Sequence, residues 1–135
     1  IIFYSYYIMS FGQSIKTCFG KYIDWNGRAS RSEFWYFQLF LFILYFIAGQ
    51  IDSFVLGTEL GQIGTTYIIV FLGTMLPALC ATIRRLHDVN RSGWWCLISL
   101  TCIGIIPLLI WEASPGASGS NQYGDDPLDK STTVE

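Results

Sequence analysis

"FWYFQLFLFILYFIAGQI", residues 34–51, contains no charged side chain, and Gln38 and Gln50 are its strongly polar members. The hydrocarbon core of a bilayer takes about 20 predominantly apolar residues in a helix, so this run is long enough to cross one. Two more runs read the same way. Residues 63–83, "IGTTYIIVFLGTMLPALCATI", are uncharged, as are residues 94–111, "WWCLISLTCIGIIPLLIW", which have tryptophan at both ends. Terminal tryptophans suit the headgroup level of a membrane. Pro77 and Pro107 are expected to kink the second and third helices, which bundled membrane helices tolerate when neighbours satisfy the freed carbonyls.

Composition agrees with this reading. Of 135 residues, 52% are hydrophobic and 13% charged, against about 25% charged in soluble domains; mean hydropathy is +0.42. A soluble alternative would bury three helices of this kind in a chain of 15.3 kDa, and so small a core has too much surface for that. The net charge of −2 says little, because the charges are segregated. Cys18, Cys80, Cys96 and Cys102 form no CxxC pair, and read as small apolar fillers instead of a disulfide or zinc framework.

The basic residues set an orientation. Lys16, Lys21, Arg28 and Arg31 precede the first run, and Arg84, Arg85 and Arg91 lie between the second and third. The loop 52–62 has no Lys or Arg, and the tail after Trp111 has only Lys130. By the positive-inside rule the N-terminus is expected in the cytoplasm and the C-terminal tail outside. Phe11–Ile23 places apolar residues three and four apart with Lys16 and Lys21 elsewhere, the pattern of a short amphipathic helix on the inner surface. Residues 1–8 precede the first methionine, Met9, and read as a leader that is not native. Residues 9–127 form one membrane domain, and the Gly/Ser/Pro/Asp-rich end reads as loop and then, over 128–135, disorder.

Polar residues concentrate in two stretches. In "NGRASRSEFWYF", Ser30 and Glu33 have the S-x-x-E spacing of a capping box, with Arg28 and Arg31 on the cytoplasmic surface and Trp35 as an interface anchor. In "RRLHDVNRSGWW", residues 84–95, a continuing helix places Arg84 and Asp88 four apart and able to pair, with Arg85 pointing towards Glu33 or a lipid phosphate. Ser92 can cap the next helix, and Trp94, Trp95 and Trp111 seat it at the interface. His87 and Asp88 are adjacent, so their side chains diverge by about 100° on a helix and form no dyad. One histidine without HExxH or paired carboxylates points to neither a catalytic nor a metal site.

"FGKYIDWNGRASRSEFWYF", "LPALCATIRRLHDVNRSGWW" and "GSNQYGDDP" together resemble the domain-of-unknown-function family 805, small bacterial inner-membrane proteins of the YhaH/YhaI type. The resemblance covers roughly Met9 to Pro127. It implies a multi-span membrane protein and singles out its motif residues, among them Ser92, Gly93, Asn121, Tyr123 and Gly124, without implying an activity. The expected fold is therefore an all-α, three-span integral membrane bundle with a short interfacial helix. Its expected polar cluster is Arg28, Arg31, Glu33, Arg84, Arg85, His87, Asp88 and Arg91. Expected partners are the bilayer and its anionic headgroups, with a homo-oligomer or membrane protein partner also open, and neither cofactor nor nucleic acid. The alternatives are an oligomeric transporter or channel component and a membrane enzyme acting on a lipid-linked phosphate.

Overall fold

A computed structural model describes residues 8–59 and 61–129. Of the expected leader only Ile8 falls within them; the end of the chain from 130 lies outside the described residues. The described chain is helical: α1 Phe11–Gly20, α2 Arg31–Phe54, α3 Thr65–Asp88, a 3-10 helix Gly93–Leu100 and α4 Ile105–Ala113. Two of these, α2 and α3, have the length and composition to cross a membrane; 24 residues at 1.5 Å each reach about 36 Å. They pack against each other, and their outer faces stay bare: Phe42 is 69% exposed, Phe46 61% and Ile69 66%. Such a surface marks a contact with a membrane or another protein.

Asp52 joins the two helices at one end. Its carboxylate accepts from the amides of Thr66 and Tyr67, both at 2.8 Å, so a residue in the last turn of α2 caps the start of α3. Gly64, the N-cap, has no side chain of its own to do this. A Cβ there would lie 2.0 Å from Asp52 Cγ, so the close approach requires glycine.

The amphipathic segment does form a helix, opened by a capping box between Ser10 and Gln13. Instead of standing apart, α1 packs along both long helices. Its buried Cys18 joins Phe34, Phe37, Leu41 and Ala81 in the core, with Phe19 packed against them. Just beyond α1, the Tyr22 hydroxyl donates to the Gly73 carbonyl at 2.6 Å. Pro77 explains this bond: without an N–H it leaves the carbonyl four residues earlier unpaired, and Tyr22 fills the gap. α3 passes through Pro77 as one helix.

The third apolar run is not one helix, which corrects the expectation for residues 94–111. The 3-10 arm ends at Leu100, a turn follows, and α4 starts at Ile105. Gly104 permits the turn, since a Cβ there would meet the Ile98 carbonyl oxygen at 2.0 Å. Pro107 lies in the first turn of α4, where an amide would have no intrahelical acceptor anyway; it starts a helix here instead of kinking one. In a continuous helix Trp95 and Trp111 would be about 24 Å apart, yet their ring centroids are 5.5 Å apart. The run is a hairpin. Its far arm returns to the end of α3, where Arg85 donates to the carbonyls of Glu112 and Ser114. The tail, expected at the opposite end from the basic residues, lies against them.

Candidate functional site: a buried arginine–carboxylate layer

The start of α2, the end of α3, the base of the hairpin and the tail meet in one polar layer. Arg84 and Arg85 are wholly buried, and Arg28, Glu33 and Asp88 nearly so. Because successive helical side chains point about 100° apart, the two neighbouring arginines serve different partners. Arg84 pairs with Glu33 and reaches Cys18 Sγ at 3.8 Å; its Nε finds no acceptor. Arg85 pairs with Asp88 and donates to the Ala29 carbonyl at 3.2 Å as well as to Glu112 and Ser114. The pairing expected from sequence, Arg84 with Asp88 and Arg85 free for Glu33, is thus reversed. Asp88 is shared three and not four residues back along the helix, and the α2 carboxylate selects Arg84.

Arg28 closes the layer from the other side. Its Nε donates to Asp88 Oδ1 at 3.0 Å, and its Nη atoms donate to the Gly119 carbonyl at 2.6 Å and to the Ala117 carbonyl. The tail returns the contact: Ala117 N donates to the Asp88 carbonyl at 2.7 Å. A Cβ on Gly116 would lie 2.2 Å from Asp88 Oδ2, so the tail can approach this closely only with glycine there.

His87 is engaged at a ring edge and a ring face. Its Nδ1 lies 3.0 Å from the Gly27 carbonyl, which can only accept, so Nδ1 carries the proton. The ring stacks on Tyr123 with centroids 4.0 Å apart and planes 3° from parallel. Asn121 donates to the His87 carbonyl at 3.0 Å and shapes the turn that presents Tyr123, whose amide donates to Asn121 Oδ1 at 2.9 Å. His87 and Asp88 therefore belong to separate contacts. Among the described residues no three His, Cys, Asp or Glu side chains gather as a metal group would need.

Three members of the expected cluster stand outside these ion pairs: His87, already described, and Arg31 and Arg91. Arg31 is exposed, and Arg91 lies over the Trp111 ring, 4.0 Å from its centroid. The Ser30 hydroxyl accepts from Glu33 N, but the Glu33 side chain goes to Arg84 and not back to Ser30, so only half of the capping box forms. Of the anchors, Trp35, Trp94 and Trp95 are exposed, while Trp111 is half-buried beneath Arg91. Sequence reading missed Cys18 and Glu112 as members of the layer. Burial, followed by the Glu33 carboxylate, pushes the Cys18 thiol up to about 11; burial pushes the Glu112 carboxyl up to about 7, against the pull of Arg85. Only tertiary packing places these two, so no local pattern marks them. A cleft of about 280 Å³ beside Asp52 and Tyr67 lies at the other end of the long helices. The charged side chains of the polar layer are buried.

The residues stitched together here are the three sequence blocks brought to one place: Arg28 and Glu33 from the first, Arg84 to Asp88 from the second, Asn121 to Gly124 from the third. A family model described as a protein of unknown function, DUF805, matches residues 22–125, a range that holds all of these residues. The chain belongs to the DUF805 family. Similar proteins include the inner membrane protein YhaI of Escherichia coli strain K12, 43% identical over 108 residues that cover 79% of this chain and 88% of YhaI. The inner membrane protein YhaH of the same strain is 35% identical, with 79% and 89% covered. The uncharacterized protein YiiR of that strain is 28% identical over 134 residues, with 78% and 87% covered. No solved structure gives a significant match. In this DUF805 chain the matched range ends at Asp125, just after the Asn121–Gly124 turn that meets His87.

Proposed function

We propose that the chain is a multi-pass protein of the bacterial inner membrane. Its polar layer, at the cytoplasmic surface, locks α2, α3, the hairpin and the tail together and meets anionic headgroups or a protein partner at its rim. One observation carries this reading. Three buried arginines are each tied to acceptors from separate parts of the chain: Arg28 to α3 and the tail, Arg84 to α2, Arg85 to α3, α4 and the segment before α2. Such a layer is an assembly device, since a guanidinium stripped of its partner while buried costs about 3–5 kcal/mol. Seven of the eight basic residues precede residue 92, and Arg28, Arg31, Arg84, Arg85 and Arg91 lie at this end, which supports a cytoplasmic N-terminus. The tail, hydrogen-bonded to the same layer, follows it to that side.

The exposed cations Lys16 and Arg31 are the headgroup contacts, each worth about 1 kcal/mol at an anionic surface. In nanodiscs, the protein is expected to melt several degrees higher with phosphatidylglycerol than with phosphatidylcholine. The Lys16→Ala/Arg31→Ala variant should lose most of that difference, whereas Arg85→Ala should lower the melting point in both lipids. Equal melting of the parent protein in the two lipids would overturn the headgroup contact, and a fully stable Arg85→Ala the assembly role.

A further inference from the structure

We infer that the Trp94–Trp111 hairpin inserts into one leaflet only, with the acyl chains of the cytoplasmic leaflet as its partner. The inference rests on the reading just given, that the polar layer lies at the membrane surface. Both ends of the hairpin are fixed to that layer, one through Gly93, where a Cβ would meet Ile83 and His87, the other through the Arg85 bonds to Glu112 and Ser114. A segment anchored twice on one face must turn back before the other.

Length decides how deep it goes. Eight residues of 3-10 helix rise about 16 Å, and nine of α-helix about 13 Å. Half of a hydrocarbon core of roughly 30 Å is about 15 Å. Each arm therefore reaches the bilayer midplane and stops. No charged residue lies between Arg91 and Glu112, and the tip is bare: Leu100 is 83% exposed and Ile103 82%.

Hydrocarbon offers no hydrogen bonds, so backbone at that depth has to satisfy itself. The tip does so. Thr101 N and Thr101 Oγ1 both donate to the Ile98 carbonyl, at 3.0 and 2.8 Å, and Gly104 N donates to the Thr101 carbonyl at 3.0 Å. At the base, Trp94, Trp95 and Trp111 fall at headgroup level, with Arg91 lying over Trp111.

The test uses the native Cys102, exposed at the tip, in a C18S/C80A/C96A background, with Leu56→Cys or Ser118→Cys added in separate variants. Full-length protein in right-side-out and everted membrane vesicles is treated with a membrane-impermeant maleimide. Position 118 is expected to label only from the cytoplasmic side, position 56 only from the opposite side, and Cys102 from neither until detergent is added. Labelling of 118 from outside overturns the inference by restoring a third crossing. If 56 and 118 label from the same side, the two-span reading beneath it fails as well. If they label from opposite sides but Cys102 reacts freely from the cytoplasm, the insertion alone is wrong. A nitroxide on Cys102 should then meet oxygen readily and a water-soluble nickel complex hardly at all; exclusion of both would show protein cover, a second copy included, in place of lipid. Should the cysteine background not fold, alkaline phosphatase and green fluorescent protein fused after residue 135 of the unaltered chain report the side of the tail: phosphatase activity there refutes the inference, and fluorescence supports it.

Discussion

Glu112 is a carboxylate in the polar layer whose position works against its charge. It is 5% exposed, its neighbour Arg85 is already paired with Asp88, and burial raises its carboxyl to about 7. The sign follows from linkage. In the unfolded chain the group ionises near 4.5, so between about pH 4.5 and 7 the folded state holds a proton that the unfolded state has released. Stability contributed by this residue is full below that window, falls as pH rises through it, and is gone above 7. Glu112→Gln, which keeps the shape without the charge, should therefore raise stability at pH 8 by roughly 2–3 kcal/mol and change little at pH 4.5. Thermal unfolding in detergent at both pH values checks this; an equal effect at the two would show that the carboxyl is not desolvated as described. Arg84 and Arg85 show the complementary case, where one residue step along α3 sends two identical side chains to different segments.

The helices themselves were largely legible. Uncharged runs mark α2 and α3, and the three- and four-residue spacing marks α1. The third run misleads for a physical reason: hydropathy counts apolar residues and is blind to chain reversal, while Gly104 and Pro107, which end one arm and begin the next, are also tolerated inside crossing helices. What no run length shows is how elements repair each other, as Tyr22 does for the Gly73 carbonyl freed by Pro77, or Asp52 for the amides of Thr66 and Tyr67. The first repair predicts a coupling. With α3 in the bilayer as proposed, Tyr22→Phe should destabilise by about 1–3 kcal/mol, as expected for a carbonyl left unmet in hydrocarbon. In a Pro77→Ala background, where residue 77 supplies its own amide to Gly73, the same change should cost much less. A double-mutant cycle by thermal melting tests it, and strictly additive effects would sink the explanation.

Across the whole molecule, charge distribution revealed which end of the bundle is basic, and composition marked the segment after Trp111 as loop without showing what it touches. Its glycines and Asn121 permit tight turns: Gly116 under Asp88, Asn121 and Gly124 beneath His87. The tail is thus a structural member. A chain ending after Ala113 should lose the acceptors of Arg28 and Arg85 in the tail, and is expected to be cleared by proteolysis in cells and to melt well below the full chain. Similar abundance and melting of the two would show that the tail adds nothing. The same arrangement sets a schedule. At roughly 5–20 residues per second of synthesis, Arg84 can meet Glu33 as soon as α3 emerges, but Arg28 and Arg85 wait further seconds for Ser114, Ala117 and Gly119. For that interval the nascent protein holds two guanidiniums without their full set of acceptors, so the segment 114–119 decides when the helices before it are finished.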